Sequence, residues 1–481
     1  MGLTYSKYQL AIFDFLEQSD HNAIVEAVAG SGKSTTLEHG VRDHLPKDYN
    51  ILCAAFNRHI AEAAQKRMPM NATSSTLNGF GWREAIKNVG YIKLDDDKID
   101  KILRFDILKV PRGDKQANAH YYKVLRPLKR IIALIKARGE SDLSGYDEIL
   151  ETHAIDTPSQ IPEFRSLVGE TLQASIKRTK TYDYNDQIYM PYIHNMNLQK
   201  FRVVVVDEAQ DLNPLQIKFL ERIGERIIAV GDRYQAIYGF RGADPWAMDL
   251  IKETYGATRL DLSVCYRCAK NIVREAQKTV PHIEFAPWAE EGIVDQIPRS
   301  KMQANEEDFI LCRTTAPLVQ SCLRYLRDGI KAVVLGRDIA DDLAIFIQNV
   351  SSRFSLIENF KHDLDAFHQA KTTRLTELNR TYELQAHNDR VEAVNALLED
   401  VRLKTVDDLL KKIDSIFSDE RGGITHSTIH KSKGLEADRV FVLHPELSPH
   451  PAAKLEWQIL QENNLKYVRD TRARKELYFV V

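Results

Sequence analysis

The chain has 481 residues, 43% hydrophobic and 28% charged, with a formal net charge of −2. That balance excludes a disordered tail and a fibrous repeat, and allows about three to four domains with sizeable cores. It also excludes a globally basic polyelectrolyte, so any nucleic-acid site must be a local patch or groove. No stretch approaches the ~20 apolar residues of a membrane span, and no apolar signal run opens the chain. Five cysteines, at 53, 265, 268, 312 and 322, do not read as a disulfide framework. The expectation is a soluble chain in a reducing compartment: the cytoplasm, associated with the nucleoid, or a host's cytoplasm if the chain is viral. Cys265 and Cys268 form a lone CxxC, and a zinc site would need two more ligands at matching spacing.

In chain order, residues 24–34 read as a short apolar strand, a glycine-bearing loop and a helix start. Ala27-Val-Ala-Gly-Ser-Gly-Lys-Ser34 fits the phosphate-binding pattern GxxxxGK[ST], with Ala27 in place of the first glycine. Gly30 and Gly32 let the backbone curl so that its N–H groups, from Ala29 to Thr35, face phosphates at a helix N-terminus. Lys33 is placed to reach the β- and γ-phosphates, and the Ser34 hydroxyl to ligate Mg²⁺.

Residues 101–138 carry eleven Lys or Arg against two Asp, a surplus of nine positive charges in a nearly neutral chain. Two readings stand side by side, a solvated helical face and a phosphate-contacting surface. Four consecutive valines, 203–206, read as a buried strand that delivers Asp207 and Glu208 to its carboxyl end, where ligands bind in parallel α/β sheets. Asp207 is placed to hold Mg²⁺, and Glu208 to activate or orient the attacking water. Similar short apolar strands at 227–230, 309–312 and 440–443 fall into two clusters, before about residue 262 and after about residue 300. Two α/β domains with parallel sheets follow. Residues 338–421 contain no Gly and no Pro and read as long helices with polar faces.

A phosphate loop and an acid pair define only a nucleotide hydrolase. The motifs that narrow the class run in order from residue 5 to the end. Gly231-Asp-Arg-Tyr-Gln-Ala-Ile-Tyr-Gly-Phe-Arg-Gly-Ala243, Leu262-Ser-Val-Cys-Tyr-Arg267, Ser427-Thr-Ile-His-Lys-Ser-Lys-Gly-Leu-Glu436 and Tyr467-Val-Arg-Asp-Thr-Arg-Ala473 resemble the third to sixth motifs of the UvrD/Rep-like superfamily 1 DNA helicases. Tyr5-Ser-Lys-Tyr-Gln9 is similar to their adenine-reading glutamine motif. Ala55-Phe-Asn-Arg58 and Thr76-Leu-Asn-Gly-Phe80 resemble two early DNA-contact motifs, and Asp183-Tyr-Asn-Asp186 the acidic segment before the second motif. The wording of 55–60 and 231–243 leans toward the F-box DNA helicase branch, without an F-box. Asn78 stands where the family usually has His, Phe240 where Trp is common, and Arg469 and Asp470 vary the sixth motif.

The resemblance implies a protein driven by ATP and Mg²⁺, with two RecA-like domains each carrying a helical insertion. The parts would be 1–90 with 182–262, the insertion 91–181, then 263–337 with 422–481, and the insertion 338–421. Gln9 would read adenine, Tyr266 would stack on it, and Glu436, with Gly434 nearby, would hold the ribose. Gln235 would couple the γ-phosphate to the nucleic-acid site, and Arg267 and Arg472 would be arginine fingers from the second domain. Phe56, Asn57, Thr76, Phe80, Tyr238, Phe240, Arg241, Thr428 and His430 would contact the nucleic acid. The implied activity is 3′→5′ translocation on single-stranded DNA and unwinding of tailed duplex by a monomer, with ATP in the cleft between the domains. An ATP-gated binding switch and an RNA helicase of the same superfamily remain open. With nine residues after Arg472, no nuclease or interaction domain is expected there.

Overall fold

The computed structural model describes residues 4–153, 155–158, 160–239, 244 and 246–481. It divides into two compact units, Met1–Ala27 with Gly32–Ser263, and Val28–Ser31 with Val264–Val481. No helix among the described residues is long and apolar enough to cross a membrane.

The first unit is built on a six-stranded sheet in the order Ala72–Ser75, Ile51–Ala54, Phe201–Val206, Gly224–Gly231, Ala23–Ala27, Thr258–Leu262. Every neighbouring pair is parallel. A parallel sheet needs cover on both faces, and the valine run shows how it is met. Side chains alternate across a strand, so Val203 and Val205 join a core with Ile12, Leu16 and Ile228. Val204 and Val206 join the opposite core with Leu52, Ile227 and Ala229. Each such side chain contributes about 1.5–3 kcal/mol of burial.

Between the third and fourth sheet strands in sequence, the chain leaves the sheet. Lys93–Leu94 pairs in parallel with Thr181–Tyr182 where this excursion begins and ends. Inside it lies the helix Lys115–Arg138, capped by Asp114, whose carboxylate accepts from the Gln116 and Ala117 N–H groups at 2.9 Å. Gly139, at φ +74°, closes it in the left-handed conformation that glycine adopts without strain. Tyr121, Val124, Leu128, Ile131, Ile132 and Ile135 form its buried stripe. Lys123, Arg126 and Arg130 are exposed on its other side.

The basic run is therefore not one uniform surface. Lys136 falls on the inner stripe and is buried, its amine 2.6 Å from Asp183 and 2.7 Å from Asp186. Lys98, fully buried, bonds the other Asp186 oxygen at 2.7 Å. Lys101 pairs with Asp95, and Arg138 with Glu140 and Glu148. For the buried Lys136 the reading as a phosphate-contacting surface is corrected.

The second unit carries a seven-stranded parallel sheet in the order Ile293–Ile297, Ala473–Val480, Ala437–Leu443, Phe309–Cys312, Ile424–Thr428, Ala332–Leu335, Phe417–Ser418. The Gly- and Pro-free stretch folds into the helices Ile357–Glu377, Thr381–Leu398 and Val406–Ile416, after Arg337–Val350. Their Phe360, Val394, Leu409 and Ile413 share one apolar core with Ile310 and Val334 of the sheet. These helices thus complete the second unit's core. The two parallel sheets with their covering helices are the two RecA-like α/β folds expected from the strand clusters.

Candidate nucleotide and nucleic-acid sites

Phe201–Val206, Gly224–Gly231 and Ala23–Ala27 are neighbours in the first sheet and run parallel, so their carboxyl ends lie on one edge. The first ends in Asp207 and Glu208, the second in Asp232, and the third leads to Lys33 at the start of the helix Lys33–His39. Gly30 and Gly32 have φ of +67° and +79°, the left-handed turns the loop reading requires. Ala29 and Ser31 are buried, whereas Ser34 and Thr35 are exposed.

The Lys33 amine lies 3.0 Å from Glu208. Burial works against its charge, but Glu208, Asp207 and Asp232 together hold it above the usual lysine value. Burial and the Glu208 charge push Asp207 up to about 6, and burial pushes Asp232 up to about 6. Glu208 sits at φ +54°, a conformation non-glycine residues rarely adopt and one that recurs where a site over-determines the backbone. Ser34 hydrogen-bonds Asp207. An edge with three carboxyls facing one ammonium is short of positive charge, and a hydroxyl beside a carboxylate is the hard oxygen set that Mg²⁺ takes.

A hydrogen-bond chain ties this edge to the expected coupling residue. Gln210 donates to Glu208 through Nε2 and accepts the Asp232 N–H at 2.9 Å through Oε1. Gln235 donates to Asp232 Oδ2 at 2.7 Å. Nothing in the sequence singles out Gln210, and Asp232 is marked only by its place in the 231–243 motif. Gln9 is buried, accepts from the Ser6 N–H at 3.0 Å and donates to the Thr36 hydroxyl at 3.0 Å.

Three residues beyond Gln235, the Tyr238 ring stacks on Phe56 at 5.9 Å between centroids and 12° between planes. Phe56 is 46% exposed, so these two candidates share an accessible aromatic face. Asn57 is exposed and caps the helix Arg58–Gln65 by accepting the Ile60 N–H at 2.9 Å. Phe240 and Arg241 lie outside the described residues.

One expected contact is corrected. Phe80 is buried in the core, edge-on to Phe201 and Phe219, and presents no face to a base. The Thr76 hydroxyl is engaged as the cap of the helix Leu77–Val89, accepting the Gly79 N–H at 2.9 Å. Phe80→Ala should therefore cost about 3–5 kcal/mol of stability. Phe56→Ala should leave the melting temperature nearly unchanged and weaken single-strand binding by about 1–3 kcal/mol. Melting curves and binding isotherms on the two variants check this pair, and the reverse pattern would exchange the two roles.

In the second unit, Tyr266 stacks on Trp288 at 5.9 Å and 24°. Trp288 is 70% exposed and carried no motif in the sequence; only an exposed-aromatic search could have found it. Both rings line a pocket of about 430 Å³, with Arg267 and Arg474 also on its wall. Arg267 forms an ion pair with Glu436, so candidates from the fourth and fifth motifs meet. Gly434, at φ +85°, lies in the loop just before Glu436. Thr428 is buried and accepts the Lys431 N–H at 3.3 Å; His430 is half-buried. Arg472 is fully buried, donating to the Val468, Leu435 and Thr471 oxygens at 2.8, 3.1 and 3.1 Å. Burial, with the Arg267 charge nearby, lowers it to about 10, so it stays cationic at neutral pH. Here Arg472 braces the carbonyl that precedes Glu436.

Residues 11–256 match the UvrD/REP helicase N-terminal domain, and residues 337–481 the UvrD-like helicase C-terminal domain. The chain belongs to the UvrD/Rep helicase family. F-box DNA helicase protein 1 of Schizosaccharomyces pombe is 25% identical over 94% of this chain and 55% of its own length. ATP-dependent DNA helicase PcrA of Leuconostoc citreum is 26% identical over 60% of this chain and 42% of its own. Putative ATP-dependent DNA helicase YjcD of Bacillus subtilis is 25% identical over 63% and 55%. The chain spans about half the length of the curated relatives it matches. Departures from the UvrD/Rep pattern have structural partners in this chain. Asn78 donates to the Tyr184 carbonyl at 3.3 Å, and Arg469 pairs with Asp470 at 2.7 Å in the interior.

Proposed function

We propose that this chain is an ATP-driven DNA helicase that translocates 3′→5′ on single-stranded DNA and unwinds tailed duplex as a monomer. Its parts are the motor domains 1–90 with 182–262 and 263–337 with 422–481, and the insertions 91–181 and 338–421. The observation that carries the reading is the sheet edge where Lys33, Asp207, Glu208 and Asp232 converge, joined through Gln235 to the segment bearing Tyr238. Lys33 holds the β- and γ-phosphates, and Glu208 orients a water and takes its proton. Ser34 and Asp207 would hold Mg²⁺, which when bound supplies charge neutralisation at the phosphates. Arg267 supplies further positive charge to the transferring phosphoryl group. Tyr266 stacks on adenine. Phe56 and Tyr238 offer a stacking face that tolerates any base, as movement along a strand requires.

Strand displacement on 3′- and 5′-tailed duplexes, with and without ATP, tests the reading. Displacement of the 3′-tailed substrate alone, dependent on ATP, is expected. Nucleotide-dependent binding without displacement would replace the motor with a switch, and stronger ATPase stimulation by RNA than by DNA would change the substrate.

The exposed cations of Lys115–Arg138 belong to the same reading. Replacing Lys123, Arg126 and Arg130 by Glu should weaken DNA binding and flatten the plot of log affinity against log salt. The change should be about 0.7 per lost phosphate contact on single strands. An unchanged slope would return this helix face to plain solvation.

A further inference from the structure

The strand that leads into the phosphate loop reads Ala-Ile-Val-Glu-Ala, and all five residues are buried. Glu26 is the one charge in it. Alternation puts its side chain on the face of Ile24, which shares a core with Met248 and Ile251 of the helix Ala247–Tyr255. An ionised carboxylate in that place needs partners for both oxygens. Arg233 takes one. Arg259, on the neighbouring strand Thr258–Leu262, takes the other at 2.9 Å.

Arg233 in turn holds a second carboxylate. Its Nη2 and Nη1 donate to Asp249 Oδ1 and Oδ2 at 3.0 and 3.3 Å, the paired geometry that a planar guanidinium supports. Asp249 lies in the first turn of the helix Ala247–Tyr255. Arg233 opens the short turn Arg233–Gln235, in which the Gln235 N–H donates to the Asp232 carbonyl at 2.8 Å. The segment bearing Tyr238 therefore leaves and returns at a point closed by one guanidinium. Glu26 ties that point to the phosphate-loop strand, just before Ala27.

We propose that Glu26 and Arg233 are positioning residues that fix the Gln235–Tyr238 segment against the phosphate-loop strand and so couple the nucleotide edge to the Phe56–Tyr238 stacking face. The inference deepens the function proposed above and rests on it. Stability alone does not account for the carboxylate. A buried ion pair is often no better than apolar side chains of similar volume, and the rest of this strand is apolar. What Glu26 adds over a leucine is direction, because its oxygens are satisfied with Arg233 held in one place. The sheet register agrees, since Glu26 pairs across it with Gly231, two residues before Arg233. Each arginine also has another carboxylate, Asp249 for Arg233 and Asp261 for Arg259, both at 3.0 Å. Removing Glu26 therefore cuts the tie without leaving either cation alone.

The test compares the full chain with Glu26→Leu, Arg233→Met and the double variant. Each is read for melting temperature, for ATP hydrolysis with and without single-stranded DNA, and for amide exchange of peptides covering 233–239. Glu26→Leu should melt no lower than the parent. Its DNA-free kcat and KM for ATP should match the parent's, since the Lys33–Glu208 pair is untouched. Stimulation by single-stranded DNA should fall about fivefold or more, and exchange at 233–239 should quicken. The double variant should lose no more stimulation than Arg233→Met, because both changes cut the same tie. Full stimulation in Glu26→Leu, or losses that multiply in the double variant, would overturn the proposal. A melting temperature that falls together with stimulation would reduce the network to plain support and overturn it too. If single-stranded DNA does not stimulate the parent, the function reading fails instead. Exchange still decides the tie in that case, and an unchanged rate at 233–239 in Glu26→Leu would sink it.

Discussion

Replacing Lys33 by alanine should lower ATP hydrolysis by on the order of 10²–10³-fold, since a preorganised donor to the transferring phosphoryl is lost. Fold and single-strand binding should survive, because the amine faces Glu208, Asp207 and Asp232 and not the apolar core. Glu208→Gln gives the contrasting result. It keeps the shape and removes only the carboxylate that orients the water, so ATP should bind and turn over very slowly. Nucleotide binding and single-turnover hydrolysis on both variants separate the two roles. Near-normal hydrolysis by the Lys33 variant would mean that the phosphates lie elsewhere.

The second large effect is on stability. Asp186→Ala should destabilise the first unit by about 3–5 kcal/mol, because it strips carboxylate oxygens from two buried ammonium groups at once. Lys98 would lose its carboxylate partner at 2.7 Å, and Lys136 one of two. The Asp183 N–H would also lose its acceptor at 3.0 Å. Replacing Lys98 and Asp186 together by apolar residues of similar volume should recover part of the loss, since the desolvation cost goes with the charges. Denaturant midpoints of the single and double variants check this. A single variant within about 0.5 kcal/mol of the parent, the range of ordinary surface changes, would show that water relieves the two lysines.

The parts legible in the sequence are those whose chemistry is local. A phosphate loop needs left-handed backbone at Gly30 and Gly32, and only a few residue types supply it. A buried strand needs an apolar run, so Val203–Val206 announces itself and places Asp207 and Glu208 with it. Phe80 was not legible, because Thr76 to Phe80 reads equally as a contact motif or as a helix cap followed by a core residue. Phe201 and Phe219, far along the chain, decide between them. Trp288 is likewise positioned by the fold alone. Lys136 was legible in principle: it falls four residues after Ile132 on the inward stripe, where a cation demands a buried partner.

The pairing of Lys93–Leu94 with Thr181–Tyr182 makes the intervening chain a closed excursion, entering and leaving at one point. Such a segment could be exchanged for another length of chain with little change in closure entropy. The chain adds a condition to that freedom. Asp183 and Asp186 lie just past the exit, while Lys98 and Lys136, which neutralise them, lie inside the excursion. A replacement that lacked two inward ammonium groups would leave two interior acids with the parent fold. The segment is thus interchangeable in length but keyed in charge, and a successful graft would carry both lysines or remove both aspartates.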